Sequence, residues 1–199
     1  MTTQLLRQAA QKTGLNVIKI ETKDELLTLL EGGLNTLYAE VFGGEPYNEV
    51  FTEDEVTAIF CDYFDKGGHV FVGLCPETSA PVSFIISTPL SAKFDVATAL
   101  ECEDRVDTMA YVAEDGVAEP FRRRGISTAF KQLLLNDCAE NGFEDVILRT
   151  SVTNVPQRRA VEKAGGVAVE GVTQILERQQ RDGVVTEENC FYNFKLACA

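Results

Sequence analysis

The chain has 199 residues, of which 45% are hydrophobic, and carries a formal net charge of −13. This length suits one α/β domain, and the composition can form a core and argues against wholesale disorder. The net charge argues against non-specific nucleic-acid binding, which depends on neutralising phosphates. Apolar runs stay short of the roughly 18–20 residues that span a membrane, and residues 1–14 lack an apolar stretch of signal-peptide length. We therefore expect a cytoplasmic protein without a membrane partner.

The cysteines and the single histidine, His69, argue against a metal site. The six cysteines are Cys61, Cys75, Cys102, Cys138, Cys190 and Cys198. They form no CxxC pair, whereas a zinc site needs ligands at closer, repeated spacing. We expect no metal, and reduced cysteines that serve as small apolar residues.

Apolar periodicity, glycines and prolines divide the chain into helices and strands. The predicted strands are Val17–Ile20, His69–Leu74, Val82–Thr88, Thr108–Val117, Val146–Ser151, Val172–Glu177 and Cys190–Leu196. The predicted helices are 1–13, Asp24–Tyr38 with an interruption at Gly32-Gly33, Thr52–Phe64, Ile126–Asn141 and Pro156–Ala164. The predicted connections are the loop Val41–Val50, the turn Pro76–Pro81, a partly helical segment 89–105 and the turn Arg181-Asp182-Gly183.

The boundaries of one helix follow from capping chemistry. Thr52 and Glu55 have the spacing of a capping box, and Gly67-Gly68 ends the apolar pattern. The order of all elements predicts an α/β fold with a mixed, mostly antiparallel twisted sheet flanked by helices and a C-terminal β-hairpin. We expect a single domain over residues 1–199, with an N-terminal extension at 1–16.

The stretch from Val117 to Thr128 has the chemistry of an anion site. It reads VAEPFRRRGIST, so that a strand ends, a basic loop follows and a helix begins. Free N–H groups and the dipole at a helix N-terminus attract anions, and Gly125 lets the backbone approach one closely. Three arginines can bind phosphate oxygens, and Ser127 adds a hydroxyl. The segment predicts a pyrophosphate site, and the alternative is a basic turn that only caps a helix.

The same stretch resembles the signature of the GNAT family of acyl-CoA N-acyltransferases, R/Q-x-x-G-x-G/A between a strand and a helix. Arg122 and Gly125 match it, as does the Val-x-x-Pro-Phe lead-in, while Ser127 departs from the last position. Downstream, NVPQRRAVEKAGG from Asn154 resembles the family's N-x-x-A-x-x-x-Y-E-K-x-G-F segment. Upstream, VFGGEPYNEVFTEDEV resembles the helix–loop–helix that covers the family's acceptor site. The order of elements agrees over about residues 17–196, so the resemblance implies a GNAT-like fold.

This resemblance implies N-acetyl transfer from acetyl-CoA. The backbone of Val117 and Ala118, where two strands splay apart, would bind the pantetheine arm, and the Val117 N–H would polarise the thioester carbonyl. Asn154 would contact the CoA arm near the thioester. The residues that would hold the pyrophosphate are Arg122, Arg123, Arg124, Gly125, Ile126, Ser127 and Thr128.

The strand before the loop offers three candidate catalytic residues, Tyr111, Glu114 and Asp115. The two acids lie near the end of the strand, and we favour Glu114 as the general base. Adjacent side chains on a strand point to opposite faces, so at most one acid faces the site unless a bulge intervenes, and the alternative is that both face water. Val161 stands where many members of the family have a tyrosine as general acid. The proton would then come from Tyr111, Tyr192 or water, or the thiolate would leave unassisted.

An acidic region indicates the acceptor. From Glu40 to Asp65 there are eight acids and no lysine or arginine, and Glu45, Tyr47 and Glu49 lie in the predicted covering loop. These residues predict a primary amine, small and cationic, as the substrate. A protein lysine or N-terminus is an alternative acceptor. The alternative functions are a CoA-binding or sensing module with little turnover, and a structural or interaction protein. We expect a monomer or a homodimer.

Overall fold

Seven strands form one sheet in a computed structural model of the chain, which describes residues 3–45 and 47–196. The strands are β1 Asn16–Lys19, β2 His69–Leu74, β3 Pro81–Pro89, β4 Met109–Val117, β5 Asp145–Ser151, β6 Val167–Gln180 and β7 Gly183–Lys195. Their order is β1-β2-β3-β4-β5-β7-β6, and every pairing is antiparallel except that of β4 with β5. This topology confirms the predicted mixed, mostly antiparallel sheet with a C-terminal hairpin. Residues 1–2, Pro46 and 197–199, with Cys198 among them, lie outside the described residues.

Helices cover both faces of the sheet. They are α1 Thr3–Thr13, α2 Lys23–Leu29, α3 Asn35–Gly43, α4 Glu53–Asp65, α5 Phe94–Ala99, α6 Ile126–Glu140 and α7 Val155–Lys163. One face packs on α1, α6 and α7, and the other packs on α2, α3 and α4. Helix α5 forms a third cluster with Tyr111 and Ile147 near the start of the parallel strand pair. In the part of the chain that the structure describes, no helix is long and apolar enough to cross a membrane, and no three metal-ligating side chains come together.

Local sequence signals explain how the first helices begin and break. The Thr52 hydroxyl accepts from the Glu55 N–H at 3.2 Å, and the Glu55 carboxylate accepts from the Thr52 N–H at 2.7 Å, so the predicted capping box is confirmed. Between α2 and α3 the helix widens into a π-helical turn at Leu30–Leu34, where Gly33 has a φ of 113°. The loop predicted from Val41 is wrong at its start, because α3 continues to Gly43 and buries Val41 in the core.

The C-terminal hairpin is much longer than the apolar pattern predicted. Strands β6 and β7 extend over 14 and 13 residues, while the predicted strands covered only Val172–Glu177 and Cys190–Leu196. The physical reason is that β6 is an edge strand with its outer positions exposed, so polar residues occupy it and the apolar signal is weak. At the predicted turn, the Arg181 N–H donates to the Asn48 carbonyl at 3.1 Å and joins the hairpin tip to the loop between α3 and α4.

Candidate active site

The two parallel strands of the sheet separate halfway along their length. Strand β4 pairs with β5 only from Met109 to Val112, opposite Asp145–Leu148. Beyond this point β4 stays with β3 as far as Val117, and β5 stays with β7 as far as Ser151. The backbone groups on one edge of the last part of β4 are therefore left without a strand partner. This is the splay that the family resemblance implied.

A cavity of about 350 Å³ lies at the separation of the strands. It is lined by Phe42, Tyr47, Glu49, Tyr63, Lys93, Tyr111, Val112, Ala113, Glu114, Asp115, Leu148, Arg149, Thr150, Ser151, Gln157, Leu176, Glu177, Arg178 and Gln179. All three candidate catalytic residues are in this wall, together with Tyr47 and Glu49 of the predicted acceptor site. Glu45 is exposed and is not part of the wall.

A β-bulge decides which face of the sheet receives Glu114. Ile86 of β3 lies opposite Glu114, while the next residue, Ser87, lies opposite Val112, so Ala113 is an extra residue in β4. In a regular strand Tyr111 and Glu114 would point to opposite faces, because side chains alternate. The extra residue reverses the alternation and places Glu114 on the same face as Tyr111. The tyrosine side chain of Tyr63 then donates a hydrogen bond to the Glu114 carboxylate at 3.4 Å.

The cavity changes the acidity of Glu114. Burial raises the pKa of its carboxyl from the ordinary 4.5 to about 7, and the nearby cations Lys93 and Arg178 oppose part of this effect. Burial likewise raises the pKa of Tyr111 to about 12. At neutral pH the Glu114 carboxyl is thus divided between its acid and base forms, while the Tyr111 hydroxyl keeps its proton. A carboxyl group poised near neutrality can accept a proton in one step and return it in the next.

The Asp115 carboxylate lies at the part of the wall next to Gln157, is directed toward α6, and belongs to a polar network. The ammonium group of Lys131, a residue of α6 that is 1% exposed, lies 2.6 Å from the Asp115 carboxylate and 2.8 Å from the Ser127 hydroxyl. The Gln157 amide donates to the same carboxylate at 2.5 Å. Asp115 is therefore already paired. The serine that departs from the family signature has a structural partner, because its hydroxyl also donates to Asp115 at 3.3 Å.

Tyr47 connects the covering loop to the far side of the cavity. Its hydroxyl accepts a hydrogen bond of 2.7 Å from the Asn154 amide, whose oxygen in turn accepts from the Gln157 N–H at the start of α7. Burial raises the pKa of the Tyr47 hydroxyl above its ordinary range, so it stays protonated. This contact joins the loop between α3 and α4 to the start of α7, which follows β5.

The charge of Glu49 is balanced by an arginine of the C-terminal hairpin. Its carboxylate lies 2.9 Å from the guanidinium of Arg178, which also pairs with Glu187 at 2.7 Å. Burial raises the pKa of the Glu49 carboxyl in spite of this partner. The acidic residues of the covering loop thus do not form an open anionic surface inside the cavity, as the run of acids in the sequence had indicated.

Three cations of the cavity wall were missed by sequence reasoning. They are Lys93 in the segment before α5, Arg149 in β5 and Arg178 in β6. Arg149 lies 2.8 Å from Asp95 and donates to Gln174 at 2.7 Å. Their segments carried no motif, and the sequence offers no signal that would have placed them together. Their contribution makes the wall mixed in charge rather than acidic.

The basic loop beside the strand separation presents free backbone donors. Gly125 precedes α6 in a left-handed conformation with a φ of 79°, and the space where a Cβ would lie is open within 4 Å. The four N–H groups that open a helix have no partner inside it, so those after Gly125 are available to an anion. The side chain of Ile126 is buried in the core, which leaves its backbone as the exposed part. The glycine is thus required by its backbone angle rather than by lack of space.

The arginines of this loop have different contacts. Arg122 donates to the Val117 carbonyl at 3.0 Å, and Arg124 donates to the Pro120 carbonyl at 2.8 Å. Arg123, exposed and with a φ of 63°, makes no side-chain contact with the residues that the structure describes. Arg122 and Arg124 each use one guanidinium nitrogen to stabilise the loop, while the Arg123 guanidinium has no such bond, and all three side chains are exposed. Ala118 donates to the Val82 carbonyl at 2.8 Å and ends the pairing of β3 with β4.

The position of the missing tyrosine is part of the core. Val161 is fully buried, and a Cβ on Gly166 would lie only 2.6 Å from its side chain, so Val161 packs closely against the turn after α7. Tyr192 is bound elsewhere: its hydroxyl accepts from Arg158 at 3.0 Å and donates to Glu162 at 3.1 Å. Neither residue lines the cavity.

No family model matches the chain, and no curated protein sequence does either. Solved structures match it over most of its length. A GNAT superfamily phosphinothricin acetyltransferase from Sinorhizobium meliloti, in complex with AcCoA, is 12% identical over 91% of this chain and 89% of that one, with a TM-score of 0.63. A ribosomal-protein-alanine N-acetyltransferase from Brucella melitensis is 14% identical over 90% and 99%, with a TM-score of 0.63.

A third structure, an N-acetyltransferase from Staphylococcus aureus, is 16% identical and covers 92% of this chain and 99% of that one, with a TM-score of 0.61. The common feature of these structures is the architecture described above. The chain therefore has the fold of the GNAT N-acetyltransferases, which confirms the fold class that the sequence predicted.

Proposed function

We propose that the protein is an N-acetyltransferase that transfers the acetyl group of acetyl-CoA to a primary amine. The observation that carries this proposal is the position of Glu114. A bulge turns this carboxyl into the cavity at the strand separation, where its pKa is about 7. The open edge of β4 continues to the basic loop, and Ser127 at the start of α6 bonds to Asp115 of the cavity wall, so we place a base and an anion-binding loop in one site.

The residues present fit acetyl-CoA. The free amides from Arg123 to Thr128 and the unpaired Arg123 side chain suit a pyrophosphate, because backbone donors at a helix start and a guanidinium both bind phosphate oxygens. The unpaired edge of β4 up to Val117 suits the amide-bearing pantetheine arm. When bound, acetyl-CoA supplies an acyl group activated as a thioester.

Glu114 is the general base in this proposal. An amine attacks a carbonyl only in its neutral form, so an ammonium proton must leave before or during the attack. In the molecules in which Glu114 is ionised, its carboxylate accepts this proton, directly or through water. Asp115 does not take this role, because Lys131 and Gln157 occupy its carboxylate oxygens.

Tyr47 is the proton donor that we propose in place of the tyrosine missing at Val161. Its hydroxyl lies at the cavity, stays protonated because burial raises its pKa, and is positioned by Asn154. Asn154 is the residue that the family resemblance placed near the thioester. Tyr111, also in the wall, packs with α5 and Ile147 beside the paired part of the strands, and we assign it to the floor of the acceptor site.

A small amine is the acceptor that the cavity supports best. Its volume of about 350 Å³ lies in the range of small-molecule sites, and the Tyr47–Asn154 and Glu49–Arg178 contacts cover one side. The internal pairing of Glu49 weakens the argument from acidic residues alone. The small size of the acceptor is supported by the cavity volume and by the two contacts that cover the cavity.

Two measurements test this function. Titration calorimetry with acetyl-CoA separates a CoA protein from a structural one, and thiol release with a panel of primary amines separates an enzyme from a sensing module. We expect Arg123→Glu to weaken acetyl-CoA binding about 10- to 100-fold, because it replaces a charge-assisted contact by repulsion. Arg7→Glu, on the exposed face of α1, is the matched control and leaves affinity unchanged. Equal affinity in both variants would refute the pyrophosphate site.

A further inference from the structure

Lys93 stands apart from the other cations of the cavity wall. Arg149 is paired with Asp95, and Arg178 with Glu49 and Glu187. The ammonium group of Lys93, in contrast, has no hydrogen bond and no ion pair with any residue in ranges 3–45 and 47–196. It is a cation inside a binding cavity without an anion of its own.

The surroundings of Lys93 are aromatic. Its ammonium group lies over the ring of Tyr63 at 5.0 Å and over the ring of Tyr111 at 5.8 Å. Both rings belong to the wall, so the ammonium group is at the cavity between them. Burial lowers the pKa of Lys93, and the carboxylates of Glu114 and Asp95 oppose this without contacting it. Cation–π contacts alone stabilise a half-buried ammonium group less than an ion pair does.

Apart from Lys93, Glu114 and Glu177, each charged residue of the wall has an ion-pair partner, and Arg149 is paired with Asp95. Glu49 balances Arg178, and Asp115 balances Lys131. Glu177 is exposed at the edge of the wall. The groups left for a ligand are the Glu114 carboxyl and the Lys93 ammonium. A ligand that complements both must carry an amine and an anion in one small molecule.

We propose that Lys93 binds a carboxylate on the acceptor, so that the substrate class is the amino acids and related amines that bear a carboxylate. This inference rests on the proposed function and adds the substrate class to it. Lys93 binds the carboxylate while Glu114 takes the proton from the amine. The same residue excludes diamines and polyamines, because their second ammonium group would meet the unpaired ammonium group of Lys93.

Matched acceptor pairs test the proposal. Alanine is compared with ethylamine, leucine with isoamylamine, and phenylalanine with phenethylamine, since each pair shares its side chain and differs in the carboxylate. Thiol release is measured for wild type, Lys93→Met, Lys93→Arg and Lys66→Met. Lys66 is the control because it is exposed, bound to Asp62 at 2.7 Å and absent from the cavity wall.

We expect wild type to prefer the carboxylate member of at least one pair by about 10- to 100-fold in kcat/KM, the value of one charge-assisted contact. Lys93→Met brings this ratio close to one by raising KM for the amino acid. Lys93→Arg keeps most of the preference, and Lys66→Met keeps all of it. Because the Lys93 ammonium group lowers the pKa of Glu114, Lys93→Met should also move the pH midpoint of kcat/KM upward, and by the same amount for both members of a pair.

Two outcomes overturn the proposal while leaving the transferase intact. In one, wild type acetylates the simple amines as well as the amino acids. In the other, Lys93→Met lowers kcat/KM for both members of each pair equally and leaves their ratio unchanged, which would mean that Lys93 acts on Glu114 alone. If acetyl-CoA binds but a broad amine panel releases no thiol, the proposed function itself fails and this inference with it.

Discussion

Replacing Glu114 by glutamine removes the carboxyl group whose pKa the cavity raises, while it keeps the size of the side chain and an oxygen that can accept from Tyr63. The shift from 4.5 to about 7 corresponds to a free-energy cost of about 3 kcal/mol for ionising this group in the folded chain. The unfolded chain loses its proton near pH 4.5, and the folded chain near pH 7. The free energy of unfolding therefore falls as the pH rises through this window.

Glu114→Gln should consequently have opposite effects on activity and stability. We expect kcat/KM to fall about 10²–10⁴-fold, the usual contribution of a general base. Above pH 7 the variant should be more stable than wild type by up to about 3 kcal/mol, and below pH 4.5 the two should be equal. Wild-type kcat/KM should rise with pH through a midpoint near 7, and this step should be lost in the variant.

Thiol release between pH 5 and 9 measures the first effect, and urea unfolding at pH 4, 6 and 8 measures the second. Glu45→Gln is the control, because Glu45 is exposed and lies outside the cavity wall. A variant that keeps kcat/KM within about threefold of wild type and retains the midpoint near pH 7 would refute Glu114 as the base. Loss of activity together with loss of stability would point to structural damage instead.

Three further substitutions address the neighbouring residues. Tyr47→Phe should lower kcat about 10²-fold, because it removes the proton donor. Acetyl-CoA affinity should change much less, although the Asn154 amide loses its hydrogen-bond acceptor. Steady-state thiol release and calorimetry measure the two effects, and an unchanged kcat would indicate that water is the proton donor. Lys131→Met should lower the free energy of unfolding in urea by about 3 kcal/mol, because it leaves the Asp115 carboxylate without its ion pair. Adding Asp115→Asn should restore most of this free energy. Additive losses in the double variant would contradict the pairing. Gly125→Ala should lower the free energy of unfolding by about 1 kcal/mol and weaken acetyl-CoA binding, because a φ of 79° is strained for alanine. Equal stability of the variant and wild type would show that the loop relaxes.

Features that depend on a few adjacent residues could be predicted from the sequence. The capping box at Thr52, the break near Gly33 and the glycine before α6 each follow from one local conformation. Part of the candidate site could be predicted for the same reason, because its strand end, basic loop and helix start are contiguous in the sequence from Val117 to Thr128. Only Val172–Glu177 of the edge strand β6 was predicted, since its exposed outer positions accept polar residues.

The contents of the cavity could not be predicted, because they come from segments far apart in the chain. Lys93, Arg149 and Arg178 lie in three different elements, and their meeting depends on how the strands are ordered. Ser127 and Lys131 could be placed one turn apart on a helix, but their shared partner Asp115 could not.

The sequence by itself determined the class of fold and the location of the basic loop that we propose binds an anion, because periodicity and backbone chemistry act over short stretches. Tertiary structure alone decided which acid serves the cavity. The extra residue Ala113 in β4 places Glu114 at the strand separation and leaves Asp115 to Lys131. The reason is that side-chain direction in a strand depends on its register with the neighbouring strand, which is set by pairing across the sheet.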